Sequence, residues 1–132
     1  MSIPVAFNNQ LDKFLDELIQ TYPEDKDFPY YKRLIDNLKK FNMRKPIEMF
    51  AGVVHKHIKQ IQERNSDFFF HNFSTLVETE TANKDSQSEA FRLFDNIQKY
   101  WKEMPSENQK VIWDYLNVLT KLSITHITAS AR

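Results

Sequence analysis

The residues with the clearest capacity for metal chemistry form two separate pairs, one of histidines and one of carboxylates, each with its members close together in the sequence. His55 and His57 are two positions apart, and on a helix this offset turns their side chains about 200° from each other. They cannot both bind one ion. Asp12 and Asp16 share a helix face, but di-iron bundles also need a Glu-x-x-His pattern, which does not follow. The sequence therefore predicts no metal site, and a solvated helix face for the two carboxylates.

Catalytic loops are disfavoured by the scarcity of two residue types. The chain has one glycine and no cysteine. Phosphate-binding loops and nucleophile elbows need several small residues, whereas thiol catalysis, thiolate-bound zinc and disulfides need cysteine. We therefore predict that the protein is not an enzyme and that it uses no cofactor.

The elements that position these residues are predicted to be helices. The chain has 132 residues, of which 41% are hydrophobic, enough for one domain with a real core. Apolar residues recur at spacings of three and four, and no stretch alternates in the way that strands require. The sequence thus predicts an all-α, single-domain bundle of about five helices: 7–22, 28–41, 46–64, a fourth that follows a Ser86–Glu89 capping box and runs to Glu103, and 107–124.

Two segments do not fit this periodicity. Residues 74–88 are polar and rich in Ser and Thr, which compete for backbone hydrogen bonds, and predict a mobile loop. Residues 125–132 are predicted to be a frayed tail, so the domain spans 1–124. Gly52 lies inside the third predicted helix, where it indicates either close approach by another helix or a tolerated weakness.

An aromatic cluster is the first candidate for a binding surface. Three adjacent phenylalanines cannot all point to one side of a helix, so at least one of them is expected to be partly exposed or to cover another chain. On this basis we predict a protein-interaction surface, with an unidentified protein partner, at Phe68, Phe69, Phe70 and Phe73. The alternative is that these rings form part of the core.

A locally basic segment is the second candidate. The net charge of the chain is zero, yet residues 32–64 carry nine basic and three acidic side chains. This segment either faces phosphates or is neutralised by neighbouring helices. The alternative function is therefore weak, sequence-independent contact with nucleic acid through Lys39, Lys40, Arg44, Lys45, Lys56 and Lys59. The next helix begins Pro46-Ile47-Glu48, which does not suit the reading of base edges.

The sequence also predicts a cellular setting. The N-terminus lacks the basic flank and apolar stretch of a secretory signal, and the longest apolar runs are far shorter than the roughly 20 residues that span a bilayer. We expect a cytoplasmic protein with no membrane contact.

Several short blocks resemble a family of small, uncharacterised α-helical proteins encoded by giant DNA viruses of algae and protists. These blocks are Phe7-Asn8-Asn9-Gln10-Leu11 with Phe14-Leu15, Tyr22-Pro23-Glu24-Asp25-Lys26-Asp27-Phe28, Arg44-Lys45-Pro46, and Asn108-Gln109-Lys110-Val111-Ile112-Trp113-Asp114-Tyr115-Leu116. The resemblance implies a viral protein that works in the host cytoplasm, the viral factory or the virion. None of the blocks is a catalytic signature, so no functional residue is carried over.

Overall fold

The computed structural model describes residues 2–80 and 88–130, and within these residues the regular elements are helical. The helices are α1 (Ile3–Thr21), α2 (Asp27–Phe41), α3 (Lys45–Val54), α4 (Ile58–Gln62), α5 (Phe73–Glu80), α6 (Leu93–Trp101) and α7 (Ser106–Ser130). A π-helical turn, Phe68–Asn72, precedes α5, and a 3-10 turn, Ser88–Arg92, precedes α6. The predicted all-α bundle with about five main helices is confirmed.

The first helix starts earlier than its apolar spacing predicts. The Ser2 hydroxyl accepts a hydrogen bond from the Val5 N–H at 3.2 Å, which caps the helix. Pro4 follows in the first turn, where its missing N–H costs nothing. The helix ends at Thr21, just before Pro23, because a residue that precedes proline is pushed out of helical geometry.

The third predicted helix, 46–64, is interrupted. After α3 the N–H groups of Lys56 and His57 donate to carbonyls only three residues back, and His57 then leaves helical geometry with φ −130°. The bend allows the His57 ring to pack 5.0 Å from the Phe68 ring. The prediction of one continuous helix is therefore wrong, because tertiary packing rather than local periodicity sets the break.

The turn after α4 leads into the aromatic cluster. Arg64 has a left-handed φ of 54°, the N–H of Asn65 donates to the Gln60 carbonyl at 2.9 Å, and the N–H of Arg64 donates to the Ile61 carbonyl at 3.0 Å. This pair of bonds is a Schellman motif. The Asn65 side chain then accepts from the Phe68 N–H at 3.1 Å, which starts the π-helical turn.

Helical structure also extends into the two segments predicted to be irregular. α5 occupies residues 73–80, the first part of the predicted 74–88 loop, and residues 81–87, including Ser86, lie outside the described residues. α7 continues to Ser130, through most of the predicted tail, while 131–132 lie outside the described residues. In this part of α7 the hydroxyls of Thr125 and Thr128 donate to carbonyls four residues earlier, at 2.8 and 2.9 Å, so they bond within the helix rather than compete with it.

The helices enclose one core whose centre is aromatic. α1 packs along α7 and beside α2, and α3 packs on α7 and α5. The ring of Phe50 in α3 lies 5.4 Å from Phe7, 5.2 Å from Phe73 and 6.5 Å from Phe94. Within the described ranges, no helix is long and apolar enough to pass through a membrane.

Gly52 lies in α3, and an added Cβ would find no heavy atom within 4 Å. Of the two explanations that the sequence allows for Gly52, close approach by another helix is therefore excluded. The remaining explanation is that the helix tolerates the lower stability that glycine gives it.

Candidate interaction surfaces

The aromatic cluster predicted to form an interface lies inside the protein. Relative exposure is 7% for Phe68, 0% for Phe69, 1% for Phe70 and 0% for Phe73. The Phe69 ring stacks on Phe73 at 5.1 Å and meets Trp113 edge-on at 5.5 Å. The expectation that at least one of these rings is exposed is wrong. The π-helical turn widens the backbone spiral and lets three consecutive rings enter the core, so these residues cannot serve as a docking surface in this fold.

Part of the predicted basic surface is neutralised by α1. Lys39 donates to Asp12 at 2.7 and 2.9 Å and pairs with Asp36 at 3.1 Å, and Lys32 donates to Asp16. Burial lowers the pKa of Lys39, but its bonds to the two carboxylates more than compensate, so the net pKa lies above the usual value. Asp12 and Asp16 lie on a face of α1 that remains partly exposed to solvent, and from there they tie α1 to α2.

The remaining basic residues do not form one patch. Lys40 and Arg44 are exposed and Lys45 is half-buried at the α2–α3 turn, whereas Lys56 and Lys59 are exposed beyond the far end of α3. Because α3 has ten residues and a helix rises 1.5 Å per residue, about 15 Å of helix separates the two groups. The first group is adjacent in the chain to exposed apolar side chains.

The exposed apolar side chains at this end of the molecule are Phe41 and Met43. The spacing of α2 predicts that Phe41 belongs to the buried stripe, but its exposure is 78%, and Met43 is 40% exposed. Phe41 is the last residue of α2, and periodicity does not show which residues at the end of a helix are covered by neighbouring helices. We call Lys40, Phe41, Met43 and Arg44 the α2–α3 turn surface.

The α2–α3 turn surface is held in place by hydrogen bonds on both sides of Met43. Asn42, which follows α2, has an extended backbone with φ −159°. Its side chain accepts from the Arg44 N–H at 3.0 Å, and its carbonyl accepts from the Lys45 N–H at 2.9 Å. The Asn8 amide of α1 donates to the Met43 carbonyl at 2.8 Å. Phe41 is thus presented by a fixed turn, which the four-letter run Phe-Asn-Met-Arg does not reveal by itself.

A groove between α1 and α7 is the second surface feature. It consists of three adjoining depressions that share Thr21 and Tyr22. Its floor is apolar, with Phe14, Leu18, Met104 and Ile112 all nearly buried. Four acidic side chains line these three depressions: Glu17, Glu24, Asp25 and Glu103. Nearby cations include Lys99, 3.9 Å from Asp25, and Lys13, which lines an adjoining depression. We call this the α1–α7 groove.

One end of the α1–α7 groove is organised around Asp25. Its carboxylate accepts from Tyr100, from the Asn96 amide at 3.2 Å and from the N–H groups of Asp27 and Phe28 at 2.8 and 3.3 Å. Burial raises the pKa of Asp25, but these hydrogen bonds together hold it below its usual value. The bond to Asp25 also raises the pKa of Tyr100 to about 12. Tyr100 therefore stays protonated at neutral pH, and the cluster joins α2 to α6.

The histidines considered as ligands are engaged in local contacts. The His55 Nδ1 lies 2.8 Å from the Ala51 carbonyl oxygen, and the His57 ring packs on Phe68. Across residues 2–80 and 88–130 there is no group of three His, Cys, Asp or Glu side chains with the geometry to hold a metal ion.

Comparison of this chain with the models of known protein families, with curated proteins and with solved structures finds no match.

Proposed function

We propose that this chain is a non-enzymatic interaction protein whose α2–α3 turn surface docks an acidic, partly apolar surface of a protein partner. The observation that carries the proposal is the 78% exposure of Phe41 on a turn fixed by Asn8 and Asn42. A large apolar ring held in water costs free energy, and its burial by a partner stabilises a complex by about 1.5–3 kcal/mol. Rigid presentation adds affinity because little ordering entropy is lost on binding.

The charge of the surface supports the choice of partner. Lys40 and Arg44 flank Phe41 and are exposed, whereas the neighbouring Lys39 is already paired with Asp12 and Asp36. Basic side chains around an apolar anchor favour an acidic counterpart and accelerate its approach. With the resemblance to giant-virus proteins, this suggests a structural or assembly component that acts in the infected cytoplasm, the viral factory or the virion.

The test is capture that depends on Phe41. Tagged wild-type protein, Phe41→Ser and a control, Tyr30→Ser, are expressed in cells that produce the partner, with nuclease digestion in parallel. Tyr30 is a suitable control because it is a partly exposed aromatic about three turns away on the same helix. We expect a protein whose capture survives nuclease, which is retained by wild type and by Tyr30→Ser and is lost with Phe41→Ser. If Phe41→Ser retains everything that wild type retains, the proposal is refuted.

Nucleic acid is the second candidate partner, favoured by the exposed Lys40, Arg44, Lys56 and Lys59. Binding of a labelled DNA duplex should then fall as salt rises, with a log–log slope of about −0.9 for each phosphate neutralised. Lys40→Gln with Arg44→Gln should reduce that slope by about 2. No binding at low salt, or binding that salt leaves unchanged, would exclude this candidate.

A further inference from the structure

We infer that the partner of the α2–α3 turn surface is the α1–α7 groove of a second copy of this chain. The inference rests on the proposed function, because it identifies what that surface docks. The two surfaces have opposite charge: Lys40 and Arg44 flank the exposed ring on one, and Glu17, Glu24 and Glu103 line the other. Asp25 adds little to this charge, because it is 4% exposed and lies 3.9 Å from Lys99.

The apolar parts of the two surfaces are also complementary. Phe41 and Met43 project from the turn. The groove offers a floor of Leu18, Met104 and Ile112, together with the half-exposed Val111 at its edge. Docking would cover both sets of apolar atoms and would bring Lys40 and Arg44 toward Glu17 and Glu103, so that apolar burial and charge pairing favour the same arrangement.

The geometry of α1 keeps the turn and the groove of one molecule apart. The turn is anchored at Asn8, and the groove extends from Phe14 to Tyr22 and beyond on the same helix. Asn8 is six residues from Phe14, at the near end of the groove, and fourteen from Tyr22, which is about 9 to 21 Å of helix. A turn that is bonded to one end of α1 cannot fold onto a groove at the other end.

The resulting contact is heterologous: each copy uses its turn on one neighbour and its groove on another. Such contacts generate rings when the rotation closes and open chains when it does not. Four side chains form a small interface, so we expect a dissociation constant of about 10 μM to 1 mM for a single contact. Weak repeated contacts of this kind suit a component that assembles at high local concentration.

The experiment is sedimentation equilibrium of the purified full chain over a range of concentrations. We expect the average mass of the wild type to rise with concentration. Phe41→Ser should weaken the self-association constant by about tenfold or more, as should the double variant Glu17→Lys with Glu103→Lys. The controls Tyr30→Ser and Glu63→Lys, which alter an aromatic and an acid outside both surfaces, should behave as wild type.

Mixing the two defective proteins gives the decisive measurement. Phe41→Ser retains an intact groove, and the double Lys variant retains an intact turn, so an equimolar mixture should form a one-to-one complex that cannot extend. This complex also shows that both variants are folded, because each must use its intact surface.

The possible negative results separate the second-copy assignment from the proposed function. A wild type that stays monomeric to about 1 mM, a mixture that stays monomeric, or self-association that is unchanged by Phe41→Ser overturns the assignment of a second copy. The proposed function would survive that result if Phe41-dependent capture of another protein were still observed, and would fail if it were not.

Discussion

Asp25 joins the start of α2 to α6, and its replacement by alanine should destabilise the whole domain. The side chain is 4% exposed and receives hydrogen bonds from Tyr100, Asn96 and two backbone N–H groups of α2. Alanine removes every one of these acceptor contacts while leaving the donors in place.

The magnitude follows from the donors that lose their partner. Loss of the cap on α2 costs about 1 kcal/mol. The Asn96 side chain is nearly buried, with 5% exposure, and a buried amide without an acceptor costs about 1–3 kcal/mol. We therefore expect Asp25→Ala to lower the free energy of unfolding by about 2–4 kcal/mol and the melting temperature by about 10 °C.

The assay is urea unfolding followed by circular dichroism, with Asp25→Asn as the matched variant. Asparagine keeps an oxygen that can accept from the N–H groups but loses the charge that strengthens these bonds. Asp25→Asn should therefore lower the free energy of unfolding by less than Asp25→Ala does. Since the pKa of Asp25 is held below its usual value, its ionised form contributes stability that is present above about pH 4 and is lost as the pH falls through the lower folded pKa. The difference in the free energy of unfolding between wild type and Asp25→Ala should therefore become smaller as the pH falls below about 4. An Asp25→Ala protein within about 0.5 kcal/mol of wild type at neutral pH would contradict the reasoning.

Three further predictions use the same unfolding measurement. Gly52→Ala should raise the free energy of unfolding by about 1 kcal/mol, because the added methyl has free space and alanine favours the helix; a loss would show that the space is not free. Phe69→Ala should cost about 3–5 kcal/mol, whereas Phe41→Ala should change stability by no more than about 0.5 kcal/mol; equal effects would contradict the burial of one ring and the exposure of the other. Because the pKa of Tyr100 is raised to about 12, its hydrogen bond to Asp25 stabilises the folded state below about pH 10, and this stabilisation is lost as the pH rises toward the pKa of the folded protein. Tyr100→Phe should therefore reduce the fall in the free energy of unfolding between about pH 10 and 12. A fall of the same size in Tyr100→Phe and wild type would rule out this role for the Tyr100 hydroxyl.

The positions of the main helices could be predicted from the sequence because they depend on the local spacing of apolar residues. The buried face of α1, with Phe7, Leu11 and Leu18, repeats every three or four residues, and the proline at 23 marks the end of the helix within one position. The same reasoning gave α2 to within a residue. It failed where side chains distant in the sequence decide the backbone, at the bend after α3 and at the π-helical turn.

The candidate surfaces were much harder to predict. Phe69 and Phe41 are both phenylalanines beside helical stretches, and nothing in their local sequence distinguishes the buried ring from the exposed one. Basic residues at 39 and 40 are adjacent in the chain, yet only Lys39 reaches the carboxylates of Asp12 and Asp36. The α1–α7 groove combines residues from both ends of the chain, so no local pattern contains it.

The amino-acid sequence by itself determined that this chain forms a single all-helical bundle, because hydrophobic periodicity, proline positions and the lack of alternating segments are local properties. Only the tertiary structure decided which aromatic rings face water and which charges are already paired. Exposure and pairing depend on where neighbouring helices end and on which faces they share, and these are properties of the packed chain rather than of any segment within it.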